Sequence, residues 1–191
     1  MSQKFLCYNF FRMGVFNLKK IYIVLAYTGT YISKIVRMYT KKEYSHVSLS
    51  LDKNLEHMYS FGRIFPWTPL IAGFVQESPK YGTFKKFKNT NAKIYSLEVS
   101  DQDYEKIQKT LDQFIHHKRK YWFNTIGMVA VMGHRRIKRR RHFYCAEFVK
   151  YVLEQTSLQL NLPDIVIPDD FQKIKGLEVV YTGLLRDYDT L

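Results

Sequence analysis

One cysteine and one histidine lie in sequence settings that suit nucleophilic catalysis. His46 stands near the start of a segment, residues 45–51, in which polar and apolar residues alternate as in a strand with one buried face. Cys145 precedes apolar residues at three- and four-residue spacing, so we expect it in the first turn of a buried helix. The positive end of a helix and a nearby imidazolium both favour a thiolate, which is the nucleophilic form of cysteine. The two residues therefore predict a pair in which Cys145 attacks a carbonyl group and His46 is the base.

The sequence around this pair resembles a known family of hydrolases. A histidine that begins a strand, followed about a hundred residues later by Tyr-Cys-Ala-Glu-Phe-Val at positions 144–149, is similar to the circularly permuted NlpC-type hydrolases of papain fold, in particular the bacterial YiiX-like group. In this order the histidine precedes the cysteine, whereas in ordinary papain-like enzymes it follows. The resemblance extends from residue 21 to about residue 171, and Tyr-Ser-Phe-Gly-Arg at positions 59–63 is its third motif.

This resemblance implies a fold and a reaction. The fold would be α+β, of the circularly permuted papain-like (NlpC) type, with an antiparallel sheet packed against helices. The reaction would be hydrolysis of an amide, peptide or acyl-ester bond through a thioester on Cys145, and no cofactor is expected.

The resemblance also places a third residue beside the histidine, on the next strand. Relatives carry a carboxylate near this place, whereas the matching residue here is Ser60. A hydroxyl orients an imidazole but stabilises an imidazolium less than a charge does. If residues 53–54 form the turn, simple pairing places Phe61 opposite His46, and a single bulge brings Ser60 there. Glu56, nearer the turn, is the reserve candidate.

Two side chains are candidates to help the backbone N–H of the nucleophile hold an oxyanion. These are Tyr144 and Asn124, and the loss of one such donor typically lowers a rate by about 10²–10³. Each has a structural alternative, since Tyr144 can pack in the core and Asn124 can cap a helix.

The chain is strongly basic, with 30 Lys and Arg, 17 Asp and Glu, and a net charge of +13. Such a balance favours anionic partners without choosing among them. Nine residues at 134–142, directly before the nucleophile, carry six of the basic side chains. This run is either a solvated loop or a rim that attracts an anionic substrate. We predict substrate contacts for Arg140 and Arg141 of this run, and also for Arg63 and Asn124.

The length of 191 residues suits one domain with its own core. We expect residues 1–20 to be an N-terminal extension and residues 21–191 to form a single hydrolase domain. Predicted strands lie at 21–27, 45–51, 55–61, 92–99 and 177–181, and predicted helices at 31–39, 101–115, 121–132 and 145–155. Gly, Pro and aromatic residues between 62 and 87 predict a long loop that forms a wall of the substrate site.

Cysteine usage and hydropathy indicate a compartment. The two cysteines, Cys7 and Cys145, do not form a disulfide framework, which favours a reducing environment. No signal peptide or membrane span is evident, so we expect a cytoplasmic protein whose aromatic N-terminus can contact a membrane peripherally. No metal site is expected, because the adjacent His116 and His117 cannot converge on one ion from a helix.

Three other functions remain open at this stage. A lipid acyltransferase or thioesterase would use the same permuted arrangement, which the lecithin-retinol acyltransferase group shares. A non-catalytic module that binds anionic polymers would keep the fold, and the serine at position 60 favours it. Nucleic-acid binding is the third, because residues 85–88 and 118–122 interleave basic and aromatic side chains, but no recognition motif accompanies them.

Overall fold

A six-stranded antiparallel sheet is the centre of the structure, a computed structural model that describes residues 18–68 and 71–188. The strands in chain order are β1 (Leu18–Tyr27), β2 (His46–Ser50), β3 (Met58–Arg63), β4 (Ala72–Glu77), β5 (Asn91–Ser100), β6 (Trp122–Phe123), β7 (His142–Phe143) and β8 (Leu177–Leu184). The helices are α1 (Tyr31–Thr40), α2 (Gly82–Lys86), α3 (Asp101–His116), α4 (Thr125–Met132) and α5 (Cys145–Leu153). The architecture is therefore mixed α and β, with an antiparallel sheet packed against helices.

The sheet has the spatial order β4-β3-β2-β1-β5-β8, which places β4 at one edge. β1 is an interior strand, because it pairs with β2 on one side and β5 on the other. Its pairing with β2 aligns Ala26 with His46 and Val24 with Ser48. The histidine therefore begins an interior strand whose position is fixed by a long buried neighbour.

Each face of the sheet has its own apolar cluster. The larger cluster joins alternate side chains of the strands, such as Ile23 and Val47, to buried residues of α3 and α5, such as Phe114 and Phe148. The smaller cluster on the opposite face is built on Val24, Ile94 and Met58 and is covered by Phe84 and Leu185. Because α5 packs across β2 and β3, the first residue of that helix is held against the sheet.

Hydroxyl caps begin the two longest helices of the described residues. The hydroxyl of Thr30 accepts a hydrogen bond from the N–H of Ser33 at 3.4 Å, and α1 begins at Tyr31. Ser100 accepts one from the N–H of Asp103 at 3.2 Å, and α3 follows. These caps satisfy N–H groups that have no partner within the helix.

The structure corrects two predicted elements. The helix predicted to begin at Tyr121 is α4, which begins only at Thr125, because residues 122–123 pair in parallel with β7 and Asn124 caps the helix. The predicted long loop at 62–87 contains β4 and α2. β4 pairs along its whole length with β3, where Gly62 lies opposite Gly73.

The predicted N-terminal extension lies mostly outside the described residues. Residues 1–17 fall there, with Cys7 and the aromatic segment expected to contact a membrane, while β1 begins at Leu18, before the expected boundary at residue 21. No helix in residues 18–68 or 71–188 combines the length and apolar character needed to cross a membrane.

Candidate active site

His46 and Cys145 meet at the end of the sheet. The two side chains interact at the wall of one cavity although they lie 99 positions apart in the sequence. Two backbone hydrogen bonds fix the segment before His46. The N–H of Ser45 donates to the carbonyl of Ala26 at 3.1 Å, and the N–H of Tyr44 donates to the carboxylate of Asp169 at 3.0 Å. The predicted pair is therefore brought together by the folded chain.

A carboxylate from β4 completes the arrangement. Nε2 of His46 lies 2.9 Å from Oε2 of Glu77, and the hydroxyl of Ser48 donates to the same oxygen at 2.7 Å. A carboxylate only accepts hydrogen bonds, so Nε2 carries a proton and Nδ1 is the ring nitrogen that faces the thiol. Both side chains are largely shielded from water, with 16% of His46 and 9% of Glu77 exposed.

The pKa of His46 is raised by this environment. Burial by itself lowers it, but the charge of Glu77 and the hydrogen bonds to Cys145 and Glu77 outweigh burial and raise the pKa of His46 from 6.5 to about 10. The imidazole therefore holds a second proton at neutral pH. An imidazolium beside a sulfur atom stabilises the thiolate form of that sulfur.

The start of α5 places the thiol at a favourable point of the helix. Cys145 is the first helical residue, so its backbone N–H has no acceptor within the helix and can face a developing negative charge. Glu147 accepts a hydrogen bond from the N–H of Tyr144 at 3.3 Å, which fixes the chain entering the helix. Nδ2 of Asn124 in turn donates to Glu147 at 3.2 Å.

A cavity of about 250 Å³ opens beside the thiol. Cys145, His46 and Glu77 all contribute to its wall, and threonine and serine hydroxyls line another part. The remaining wall is largely apolar and includes Ile32, Val36, Phe84, Phe123 and Met128. The arrangement can therefore present a shielded nucleophile and base to a small group bound in an enclosed space.

Ser60 does not orient His46, contrary to the prediction. Its hydroxyl is fully buried and donates to the backbone carbonyl of Val47 at 2.7 Å. The reserve candidate Glu56 is also remote, since it lies in the exposed hairpin and forms an ion pair with Lys80 at 3.7 Å. Glu77 occupies the role that the sequence interpretation gave to these two residues.

Neither predicted oxyanion side chain lines the cavity. The hydroxyl of Tyr144 donates to the carbonyl of Val166 at 3.0 Å inside the core. Asn124 is fully buried, caps α4 and is bound on both of its amide atoms. Their structural alternatives, core packing and helix capping, describe what these residues do, and the prediction that Asn124 contacts substrate is not met.

The predicted substrate-contacting arginines separate into two groups. Arg63, at the end of β3, lines the cavity that contains the thiol. Arg140 and Arg141 line a different cavity of about 510 Å³, beside Tyr151 of α5. The basic run before Cys145 therefore lies outside the wall of the cavity that contains the thiol.

Sequence interpretation missed Glu77. A weak signal was present, because Phe74 and Val75 favour a strand and the segment ends in a carboxylate, but the surrounding Gly and Pro residues favoured a loop. Within the two described ranges, no three His, Cys, Asp or Glu side chains are grouped as a metal ion would require.

Comparisons of the chain with protein-family models, with curated proteins and with solved structures found no match.

Proposed function

We propose that this protein is a cysteine hydrolase that cleaves an amide, peptide or acyl bond by attack of Cys145. The observation that carries the proposal is the continuous contact from Cys145 through His46 to Glu77, at the wall of a cavity. Nucleophile, base and orienting carboxylate form the same functional chain in many unrelated hydrolases. A Glu77 carboxylate beside the imidazole removes the main reason for reading the chain as a non-catalytic binding module.

The chemistry follows from the positions of the three side chains. The thiolate of Cys145 attacks the substrate carbonyl carbon, and the backbone N–H at the start of α5 stabilises the resulting oxyanion. The imidazolium of His46 gives its proton from Nδ1 to the leaving amine or alcohol, which leaves a thioester. Neutral His46 then takes a proton from water, whose oxygen attacks the thioester carbon. The C–S bond breaks, the acid product is released, and the thiolate of Cys145 and the imidazolium of His46 are restored. Glu77 holds the ring throughout and stabilises its charged form.

The chain order and architecture support a permuted papain-like fold similar to the YiiX-like group. The histidine begins an interior strand of an antiparallel sheet, and the cysteine begins a helix packed on that sheet. We propose a reducing compartment such as the cytoplasm, because a nucleophilic thiol is active only while reduced.

Acyl transfer or thioester hydrolysis on a lipid substrate is the second candidate. The apolar part of the cavity, with Ile32, Val36 and Met128, favours a substrate with an aliphatic acyl group. The thioester would be the same in both cases, and the acceptor would be an alcohol or amine instead of water. The two reactions are distinguished by adding such acceptors and measuring how the products divide.

The proposal is tested by trapping the acyl-enzyme. In a Cys7→Ser background, a short activated ester should release its alcohol in a burst and leave an acyl group on Cys145, visible by intact-protein mass spectrometry. Cys145→Ala should abolish both the burst and the adduct, whereas His46→Ala should slow acylation and deacylation. Hydrolysis that persists in Cys145→Ala would remove the central claim, and thermal unfolding would verify that each variant is folded.

A further inference from the structure

Arg63 is a charged side chain in the wall of the catalytic cavity. Its guanidinium donates through Nη2 to the hydroxyl of Thr30, and it lies over the ring of Phe87 with 5.3 Å between the guanidinium carbon and the ring centroid. These contacts fix the direction of the side chain, and neither of them neutralises its charge. Burial lowers the pKa of Arg63 from its usual value.

No carboxylate pairs with Arg63 among residues 18–68 and 71–188. The arginines with an ion pair in these ranges are Arg136 and Arg186, both elsewhere on the surface. A partly buried charge without a counter-ion carries a desolvation cost that a bound anion would offset. A guanidinium also offers parallel N–H donors that match the two oxygens of a carboxylate or phosphate.

The other groups around the cavity do not supply that anion. Glu77 is already engaged by His46 and Ser48, Cys145 faces the charged His46, and the rest of the lining carries no negative charge. The cavity of about 250 Å³ suits one short substituent next to a scissile bond.

We infer that the substrate carries an oxyanion group, a carboxylate or a phosphate, within a few bonds of the carbonyl that Cys145 attacks, and that Arg63 binds this group. The inference rests on the proposed function for the identity of the nucleophile. It assigns substrate recognition to the enclosed Arg63 and not to the basic run at 134–142, which lies beside another cavity.

Alkylation of Cys145 by three matched reagents tests the inference. N-iodoacetyl-β-alanine carries a carboxylate, N-iodoacetyl-2-aminoethyl phosphate carries a phosphate, and the amide of the first reagent is neutral. In a Cys7→Ser background at pH 7.5, at least one anionic reagent should react about tenfold or more faster than the neutral one, since a charge-assisted hydrogen bond contributes on that scale. The faster of the two identifies the anion.

Two substitutions on the same background locate the effect. Arg63→Gln should bring the ratio of the anionic rate to the neutral rate close to one, while Arg63→Lys should retain part of the preference. Arg37→Gln is the matched control: it removes the same charge, but Arg37 lies over Tyr27 at 4.7 Å and is not part of the cavity wall. It should keep the preference, which excludes general attraction by the basic protein.

Each remaining outcome decides one proposal. Equal rates with all three reagents on a reactive Cys145 would overturn the inference and leave the proposed hydrolase standing. A neutral-reagent rate that falls in Arg63→Gln as much as the anionic rates would also overturn it, because Arg63 would then serve the thiolate. If Cys145 reacts with no reagent, the hydrolase proposal fails. The anion site is then decided alone by the shift in Tm of Cys145→Ala with N-acetyl-β-alanine and N-acetyl-2-aminoethyl phosphate, compared with the neutral amide of the first.

Discussion

Replacement of Glu77 by glutamine should return His46 to ordinary histidine behaviour. The two side chains are joined by a contact of 2.9 Å, so the centres of charge are about 4 Å apart. At an effective dielectric constant of about 20, such a pair interacts by about 4 kcal/mol, which is close to three powers of ten in a protonation equilibrium. Glu77→Gln keeps the shape and a hydrogen-bond acceptor but removes this charge, so the pKa of His46 should fall from about 10 toward 6.5.

Two measurements follow the loss of the imidazolium. The ring-proton resonances of the wild type and Glu77→Gln, titrated by NMR and assigned with His46→Ala, should show the change directly. In a Cys7→Ser background, iodoacetamide should alkylate the wild-type thiol rapidly at pH 6 to 8. The Glu77→Gln variant should react at least tenfold more slowly there, because the sulfur has lost its charged partner.

Stability should change with pH in the corresponding direction. A raised histidine pKa stabilises the folded state fully below the unfolded value of 6.5, and the contribution is lost as the pH rises through about 10. The free energy of unfolding of the wild type should therefore fall between pH 7 and 10, and that of Glu77→Gln should fall less.

Two control variants make the test specific. Glu56→Gln removes a carboxylate from the exposed hairpin, and Ser60→Ala removes the hydroxyl that sequence analysis placed beside His46. Both should leave the alkylation profile unchanged, although Ser60→Ala should lower stability by about 1 kcal/mol through loss of a buried hydrogen bond. A Glu77→Gln protein whose histidine titration and alkylation match the wild type would refute the reasoning.

Two further predictions concern the surroundings of the site and the acid stability of the fold. Gly62→Ala adds a methyl group 3.4 Å from both His46 and Glu77, so it should slow alkylation of the thiol at pH 7. Gly73→Ala on the adjacent strand is the control, because its methyl group meets only the flexible side chain of Ile64 and should not change the rate. Equal alkylation rates in the two variants would contradict this prediction. Burial raises the pKa of Asp103, but hydrogen bonds from two serines and a lysine outweigh burial and hold the pKa at about 2. The ionised carboxylate therefore stabilises the fold above its ordinary pKa of 3.8, and this stabilisation is lost as the pH falls through about 2. Urea unfolding should show that Asp103→Asn lowers the free energy of unfolding by about 2 kcal/mol at pH 7 and by much less at pH 2. An equal loss at both pH values would contradict a role for the ionised carboxylate of Asp103.

Local patterns were sufficient to predict the elements that carry Cys145 and His46. The alternation after His46 and the helical spacing after Cys145 both reflect burial of one face, which is recorded in neighbouring residues. The caps of α1 and α3 are equally local, since a capping hydroxyl acts on an N–H three residues away.

The prediction that Ser60 lies beside His46 depended on the pairing register of β2 and β3, which the sequence does not fix. The connection between β2 and β3 is longer than a two-residue turn and includes Leu55 at a positive φ of 55°. Leu49 consequently pairs with Tyr59, and the ring of Phe61 lies 5.4 Å from that of Phe148, in the core on the α5 side. A shift of one residue reverses the face of every side chain, which is why the expected pairing of Phe61 with His46 failed.

The position of β4 has a consequence for how the thiol is activated. β4 is an edge strand, hydrogen bonded within the described sheet to β3 alone, and Glu77 is its last residue. Edge elements detach at lower free energy than the interior, through sub-global openings that hydrogen exchange detects. Such an opening would separate Glu77 from His46 while β2, α5 and the core stay folded. The fraction of molecules in which Glu77 contacts His46 thus depends on the stability of an edge strand, and it can change without any change in global stability.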